Sequence, residues 1–197
     1  MRALLALLAL AAAPAAAQDC PTAADLPGGV VLTFGDGDTE RHFALPGGGT
    51  RVVWTDEGDV FTDLVAPSGL LLAYWDGADP APDAGVVQRV YAAPVPEGPP
   101  GPGARVRVAG VDREKGARDE AVTLTMAWAD AAEEMAFGPC RYEVLRGTVE
   151  ESYDDGEPPW VMHFVHVPAL GILPLLGADA KGTTAVLDAV VGIGALR

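Results

Sequence analysis

Short turn sequences recur about every ten residues in the first half of the chain, and they limit what it can fold into. They combine Gly with Asp, Pro or Glu and occupy residues 35–38, 46–49, 56–59 and 67–69. Between them lie stretches rich in β-branched and aromatic side chains, at residues 30–34, 40–45, 51–55, 60–66 and 70–75. Because such turns leave no room for a crossover helix, successive strands must run antiparallel. The pattern predicts an antiparallel meander.

Several stretches alternate in character as strands with two different faces should. In residues 39–45, one face would carry Arg41 and Phe43, and the other Glu40 and His42. Four apolar residues of the second half would likewise share a face: Val122, Leu124, Met126 and Trp128. Further strands are expected at residues 105–108, 141–150, 160–167, 172–176 and 183–191. The last of these could instead be helical, because its Ala, Val and Leu residues show no clear period.

A segment rich in Pro and Gly, residues 93–103, separates two halves of the chain. Proline lacks an amide donor and fixes φ, so this connector cannot be a helix or an interior strand. It divides an N-terminal β half, residues 18–92, from a C-terminal β half, residues 104–197. Residues 61–72 and 164–173 share the order strand, proline turn, glycine and apolar strand. The sequence therefore predicts an all-β fold of two similar antiparallel halves, half-barrel or sandwich-like.

The first 17 residues have the three-part layout of a secretory signal peptide. Arg2 supplies a positive charge, residues 3–13 are apolar, and Ala15 and Ala17 are small residues that a signal peptidase accepts before Gln18. The apolar run is shorter than the roughly 20 residues that a membrane-spanning helix needs. We therefore expect a signal peptide at residues 1–17, a mature chain without a transmembrane anchor, and a periplasmic or secreted protein.

The chain has two cysteines, Cys20 and Cys140. Export delivers thiols to an oxidising compartment, where two cysteines usually pair. Their wide separation argues against a zinc site, which uses closely spaced pairs. We expect a disulfide between Cys20 and Cys140 that ties the mature N terminus to the middle of the fold.

The chain is strongly acidic, with a formal net charge of −15 at pH 7. Nucleic acids and anionic membrane surfaces are bound through clustered Lys and Arg, so neither is an expected partner. Cationic partners and divalent ions are compatible with this charge.

The candidate metal ligands are spaced unfavourably. His163 and His166 are three residues apart, and on a strand an odd separation sends side chains to opposite faces. Residues 36–40 alternate carboxylates like a calcium loop, but the closing glutamate is absent, which favours a hairpin turn. The densest acidic group is interpreted as a solvated loop and comprises Glu150, Glu151, Asp154, Asp155 and Glu157. A calcium-stabilised module is an alternative, but we predict no metal site and no cofactor.

The sequence favours a non-catalytic protein over an enzyme. Ser68 lies in a Pro-Ser-Gly turn without the Gly-x-Ser-x-Gly elbow of a serine hydrolase. A hydrolase with paired carboxylates is an alternative, because such a pair forms only in the fold. Aromatic residues on or beside predicted strands would fill the core or line a groove for a lipid or a glycan. They are Trp54, Trp75, Trp128, Trp160, Tyr74, Tyr91, Tyr142 and Tyr153.

Residues 137–142 read Phe-Gly-Pro-Cys-Arg-Tyr. With the alanine-rich leader and the short strands, this segment resembles uncharacterised secreted proteins of α-proteobacteria. The meander is also similar to half-barrel envelope proteins that shield lipid. Neither resemblance assigns a functional residue. We therefore predict an exported, non-catalytic binding or envelope-structural β-protein whose partner is a lipid, a glycan or an envelope protein.

Overall fold

A computed structural model describes residues 19–79, 85–179 and 188–196. Apart from a 3-10 turn at Ala23–Asp25, all regular structure in these ranges is β, which confirms the predicted fold class. The strands are β1 (Val30–Phe34), β2 (Thr39–Ala44), β3 (Thr50–Asp56), β4 (Asp59–Val65), β5 (Leu71–Asp76), β6 (Val87–Tyr91), β7 (Arg105–Glu114), β8 (Glu120–Trp128), β9 (Glu133–Phe137), β10 (Cys140–Tyr153), β11 (Trp160–His166), β12 (Leu175–Asp179) and β13 (Val190–Ala195). No helix within these ranges combines the length and hydrophobicity needed to cross a bilayer. The predicted signal peptide, residues 1–17, lies outside the described residues.

The strands form one 13-stranded antiparallel sheet that is not closed. Strands β1 to β8 lie side by side in chain order, which confirms the predicted meander. Two strands depart from that order. Strand β9 pairs only with the first part of β10, while the rest of β10 lies between β8 and β11. Strand β13 returns to pair with β1, so the two chain ends of the described fold meet in one sheet.

Most predicted strands lie where the sequence places them, with four differences. Strands β6 and β9 are not predicted, because each contains two adjacent polar residues that interrupt the apolar pattern, Gln88 and Arg89 in β6 and Glu133 and Glu134 in β9. The predicted start of β12 at residue 172 is wrong, since β12 begins at Leu175, directly after Pro174. Proline cannot donate to a strand ladder, so regular pairing resumes only beyond it. The last candidate strand, residues 183–191, is wrong in its described part, because β13 begins at Val190 and continues to Ala195; residues 183–187 lie outside the described ranges.

The connector at residues 93–103 joins β6 to β7, and these two strands are neighbours in the sheet. The sheet therefore continues directly from the N-terminal half into the C-terminal half. The similarity of the two halves stays a prediction.

The sheet curls so that its two ends pack against each other. One core cluster combines β1 and β13 residues with residues of β10, β11 and the following turn, among them Leu32, Ile193, Val144, Val165 and Leu170. The backbone amide of Asp188, just before β13, donates to the carbonyl of Leu176 in β12 at 2.8 Å. This approach of distant strands encloses an interior between the two ends of the strand order.

A second core cluster lies on the inner face of β7, β8 and β10. The face predicted for β8 is confirmed, because Val122, Leu124, Met126 and Trp128 are each at most 4 % exposed. A Cβ on Gly147 of β10 would lie 2.3 Å from the Trp128 indole. Glycine is therefore required there to let the indole lie flat against the neighbouring strand.

The predicted disulfide is confirmed. Cys20 and Cys140 are bonded, with their Cα atoms 5.6 Å apart, and they join the N-terminal segment to the start of β10. The hydroxyl of Tyr142 donates to the carbonyl of Pro21 at 2.8 Å, next to the disulfide. Two contacts therefore hold the N-terminal segment against β10.

Candidate functional site

A buried charge cluster is centred on Arg89, inside the curled sheet. Arg89 projects from β6, and its Nε and Nη2 each donate to an oxygen of Asp112 on β7 at 2.6 Å. Its Nη1 contacts the carboxylate of Glu151 on β10. The hydroxyl of Tyr153 accepts from Arg89 Nη2 at 2.9 Å and lies 3.1 Å from Asp112 Oδ2. Three strands, β6, β7 and β10, thus bring one guanidinium and two carboxylates together in one cluster.

The carboxylates hold Arg89 in its charged form. Burial alone lowers the pKa of Arg89, but its hydrogen bonds to Asp112 and the charges of Glu151 and Asp112 outweigh burial and raise that pKa. The Arg89 side chain is only 1 % exposed, so its charge is compensated by the protein and not by water. A buried ion pair of this kind depends on all of its members.

An interior cavity of about 70 Å³ lies beside this cluster. Arg89 and Asp63 are the charged residues of its described lining. The rest of the lining is apolar, and it comprises Val65, Gly69, Leu71, Leu124, Met126, Trp128, Val149, Met162, Phe164 and Leu173. Apolar walls with a small number of polar groups are typical of ligand sites, although most such sites are larger, at about 300 to 1,000 Å³.

Asp63 is the unusual member of that lining. It lies on β4 opposite Val52 of β3 and Tyr74 of β5, and its Oδ2 accepts a hydrogen bond from Trp54 Nε1 at 3.1 Å. Burial raises the pKa of Asp63 from 3.8 to about 7, the Trp54 hydrogen bond opposes that rise, and the charge of Glu40 adds to it. The carboxyl therefore gains and loses its proton near neutral pH, as groups in functional sites often do.

Replacement of Asp63 by asparagine is expected to stabilise the protein at high pH and not at low pH. Between pH 4 and 7, the Asp63 carboxyl keeps its proton in the folded state but has already lost it in the unfolded state. The free energy of unfolding therefore falls as the pH rises through that window. After a discount for the solvent-accessible side of the carboxyl, this loss amounts to about 3 kcal/mol at pH 8. Asparagine does not ionise, so Asp63→Asn removes this loss of stability.

Urea unfolding of both proteins at pH 4, 6 and 8 tests this expectation. The difference in unfolding free energy should be near zero at pH 4 and largest at pH 8. A difference that does not change with pH would show that Asp63 titrates normally in the folded protein.

The strand ladder beside the cavity is shortest between β5 and β6. The ladder between these strands has two residue pairs, Ala73 with Gln88 and Tyr74 with Val87. Beyond that ladder the hydroxyl of Tyr91 on β6 donates to the carbonyl of Leu71 on β5 at 2.6 Å. A side-chain hydrogen bond therefore replaces ladder bonds beside the cavity.

A wider groove of about 300 Å³ lies at one end of the interior. Trp54 and Trp160 lie along it, and its carboxylates come from Asp36, Asp38, Glu40, Asp56 and Asp188. Partial burial and the charges of Asp36 and Asp38 raise the pKa of Asp188. Trp54 connects the groove to the cavity, because its indole nitrogen donates to Asp63.

The structure separates the members of the predicted calcium-like segment. Asp36 and Asp38 lie in the turn between β1 and β2, where the Asp38 amide donates to Asp36 Oδ1 at 2.9 Å, which confirms the hairpin turn. Glu40 instead points inward from β2, where its Oε2 lies 2.9 Å from His42 Nε2 and its Oε1 accepts from the Leu175 amide at 3.0 Å. Within the described ranges, no group of three or more His, Cys, Asp or Glu side chains is arranged to hold a metal ion.

The other candidate residues also lie apart from one another. His163 Nε2 lies 3.2 Å from Asp179 Oδ1, whereas His166 is buried in the same strand, and burial lowers its pKa. Ser68 is buried in the turn between β4 and β5. The interpretation of the acidic group near residue 150 as one solvated loop is wrong for Glu150 and Glu151, because both lie on β10 and Glu151 contacts Arg89. The cross-strand pairing of β10 with β8 and β11 carries the Glu151 side chain inward.

Sequence reasoning did not single out Asp63, Arg89 or Asp112. The sequence does contain a signal at two of them, a charged residue within an apolar stretch. Asp63 interrupts an apolar strand, and Arg89 lies between Val87 and Val90. A lone charge inside such a stretch indicates either an exposed face or a buried pair, and only the fold distinguishes these.

Comparison of the chain with protein-family models, with curated proteins and with solved structures finds no match. The site is therefore interpreted from its own geometry.

Proposed function

We propose that this protein is an exported, non-catalytic binding protein whose interior cavity receives a small molecule. The observation that carries the proposal is the cavity itself, with its apolar walls and the carboxyl of Asp63. Apolar surface supplies binding energy, and one or two polar groups orient the ligand.

The cavity favours binding over hydrolysis. A glycoside hydrolase needs two carboxyl groups about 5 to 10 Å apart across the scissile bond. Asp63 is the one carboxylic acid in the described lining of the cavity. The nearby carboxylates of Asp112 and Glu151 both contact Arg89, which occupies them.

The size of the cavity indicates a small ligand. An engineered apolar cavity of about 150 Å³ accommodates benzene. At about 70 Å³, this one suits a molecule of only a few non-hydrogen atoms. A lipid or a glycan, the ligands expected from the sequence, would need the larger surface grooves.

Two features support export. The disulfide between Cys20 and Cys140 is a bond that persists in oxidising compartments and is rare in the cytosol. The sequence before it has the layout of a secretory signal. A periplasmic or extracellular location accounts for both.

Xenon under pressure tests whether the cavity accepts a ligand, because xenon enters apolar cavities without specific contacts. In methyl NMR spectra we expect shifts confined to lining residues such as Val65, Leu124 and Val149. Val65→Phe should fill the space and abolish these shifts, whereas Val191→Phe, a similar enlargement at a 54 % exposed site, should keep them. Shifts that persist in Val65→Phe, or none in the unaltered protein, would refute an interior site.

A further inference from the structure

We infer that the cavity binds a small organic cation, a protonated amine on a short aliphatic body, with the ammonium group against the carboxylate of Asp63. This inference rests on the proposed binding function and names the class of ligand. The apolar walls would contact the aliphatic body, and Asp63 would supply the countercharge.

The charges around the cavity disfavour an anion as the ligand. Arg89 is the one cationic group in the described lining: its Nε and Nη2 donate to Asp112, and its Nη1 is ion-paired with Glu151, although it makes no hydrogen bond. These two carboxylates outnumber the single guanidinium, so the cluster is net negative. A second anion in the cavity would add like charge in a poorly solvated space.

Asp63, by contrast, lacks a cationic hydrogen-bond partner in the part of the chain that the structure describes. Its hydrogen bond there comes from the neutral indole of Trp54. The titratable and charged groups that influence Asp63 from neighbouring elements are Glu40 on β2, Arg89 on β6 and Glu151 on β10, with Tyr74 opposite it on β5. Two of the three charged groups are acidic and repel its ionised form. An ammonium group beside Asp63 would remove that repulsion and use its remaining lone pairs.

The groove next to the cavity points to the same class of ligand. It is lined by five carboxylic acids and by Trp54 and Trp160. A concave acidic surface raises the local concentration of cations, and tryptophan faces attract ammonium groups. Because Trp54 borders the groove and also contacts Asp63, a cation concentrated there lies close to the cavity.

Titration with n-propylammonium, 1-propanol and propionate at constant ionic strength tests the inference. Each probe contains three carbon atoms, and the head groups differ in charge: an ammonium, a hydroxyl and a carboxylate. A ligand of four non-hydrogen atoms binds no tighter than roughly tens of micromolar, so methyl NMR at millimolar concentration is the suitable measurement. We expect saturable shifts at the cavity with propylammonium at pH 8, and at least tenfold weaker binding of the other two probes.

The pH dependence provides a second readout. With a pKa of about 7, Asp63 is about tenfold more ionised at pH 8 than at pH 6, and propylammonium stays protonated throughout. Its affinity should therefore fall about tenfold from pH 8 to pH 6.

Two variants locate the effect. Asp63→Asn should weaken propylammonium binding at least tenfold, whereas Asp59→Asn, the same change at an exposed site on the same strand, should leave it within twofold. Equal binding of 1-propanol or propionate, or unchanged amine affinity in Asp63→Asn, would overturn the inference. If xenon occupies the cavity while propylammonium does not bind, the proposed binding site stands and the cation assignment fails.

Discussion

Replacement of Arg89 by methionine is expected to lower the free energy of unfolding by about 3 to 5 kcal/mol, because it leaves the buried carboxylates of Asp112 and Glu151 without a countercharge. A typical domain is stable by only about 5 to 15 kcal/mol, so this change removes a large share of the total. Methionine retains much of the apolar stem of arginine, so the loss of stability measures mainly the effect of removing the charge. Urea unfolding followed by tryptophan fluorescence measures it.

Arg113→Met is the matched control, since it removes an arginine from the neighbouring strand β7. Arg113 pairs with Asp119, and both side chains are 55 % exposed. Exposed pairs contribute about 0 to 1 kcal/mol, so this variant should unfold close to the unaltered protein. If Arg89→Met does not fold, Arg89→Lys keeps the charge but loses the two-pronged contact, and it should be intermediate. Equal stabilities of Arg89→Met and Arg113→Met would contradict the assigned role of the cluster.

Removal of the disulfide in the double variant Cys20→Ser/Cys140→Ser is expected to cost about 5 kcal/mol, the value that the chain-entropy model gives for a closed loop of this length. The two cysteines are 120 residues apart, so the bond restricts most of the unfolded chain. The double variant avoids a lone reactive thiol. Urea unfolding under non-reducing conditions should show a lower midpoint, and added reductant should not lower it further.

Tyr142→Phe separates the cross-link from the docking of the N-terminal segment. This change removes the hydrogen bond to the carbonyl of Pro21 but keeps the disulfide. One hydrogen bond contributes about 1 kcal/mol, so the loss should be a small fraction of that in the double variant. A double variant no less stable than Tyr142→Phe would show that the disulfide contributes little to stability.

Local patterns in the sequence predict the strands well because turns and alternation are local properties. The hairpin turn at residues 35–38 follows from its Gly-Asp pattern, and the inner face of β8 follows from its four apolar residues. The disulfide follows from the number of cysteines and the expected compartment. The inaccurate start of β12 reflects Pro174, whose effect on pairing the apolar pattern does not show.

The alternation of β2 could not indicate which of its faces would be buried. The sequence places Glu40 and His42 on one face and Arg41 and Phe43 on the other. The structure buries the polar face, with Glu40 5 % and His42 0 % exposed, while Phe43 packs under the guanidinium of Arg51. Apolar character alone would have favoured the face of Phe43. The choice depends on β12, where the backbone amide of Leu175 donates to Glu40.

Local sequence patterns and composition predict the fold class, the antiparallel order of β1 to β5 and the pairing of the cysteines, because these depend on neighbouring residues or on composition. The fold is needed to bring Asp63 and Arg89 into one cavity and to place Asp112 and Glu151 together beside it. These residues lie on strands far apart in the chain, and the curl of the sheet brings them together. The raised pKa of Asp63 also depends on the fold, because it results from burial and from the charges of residues that lie near Asp63 only in the folded chain.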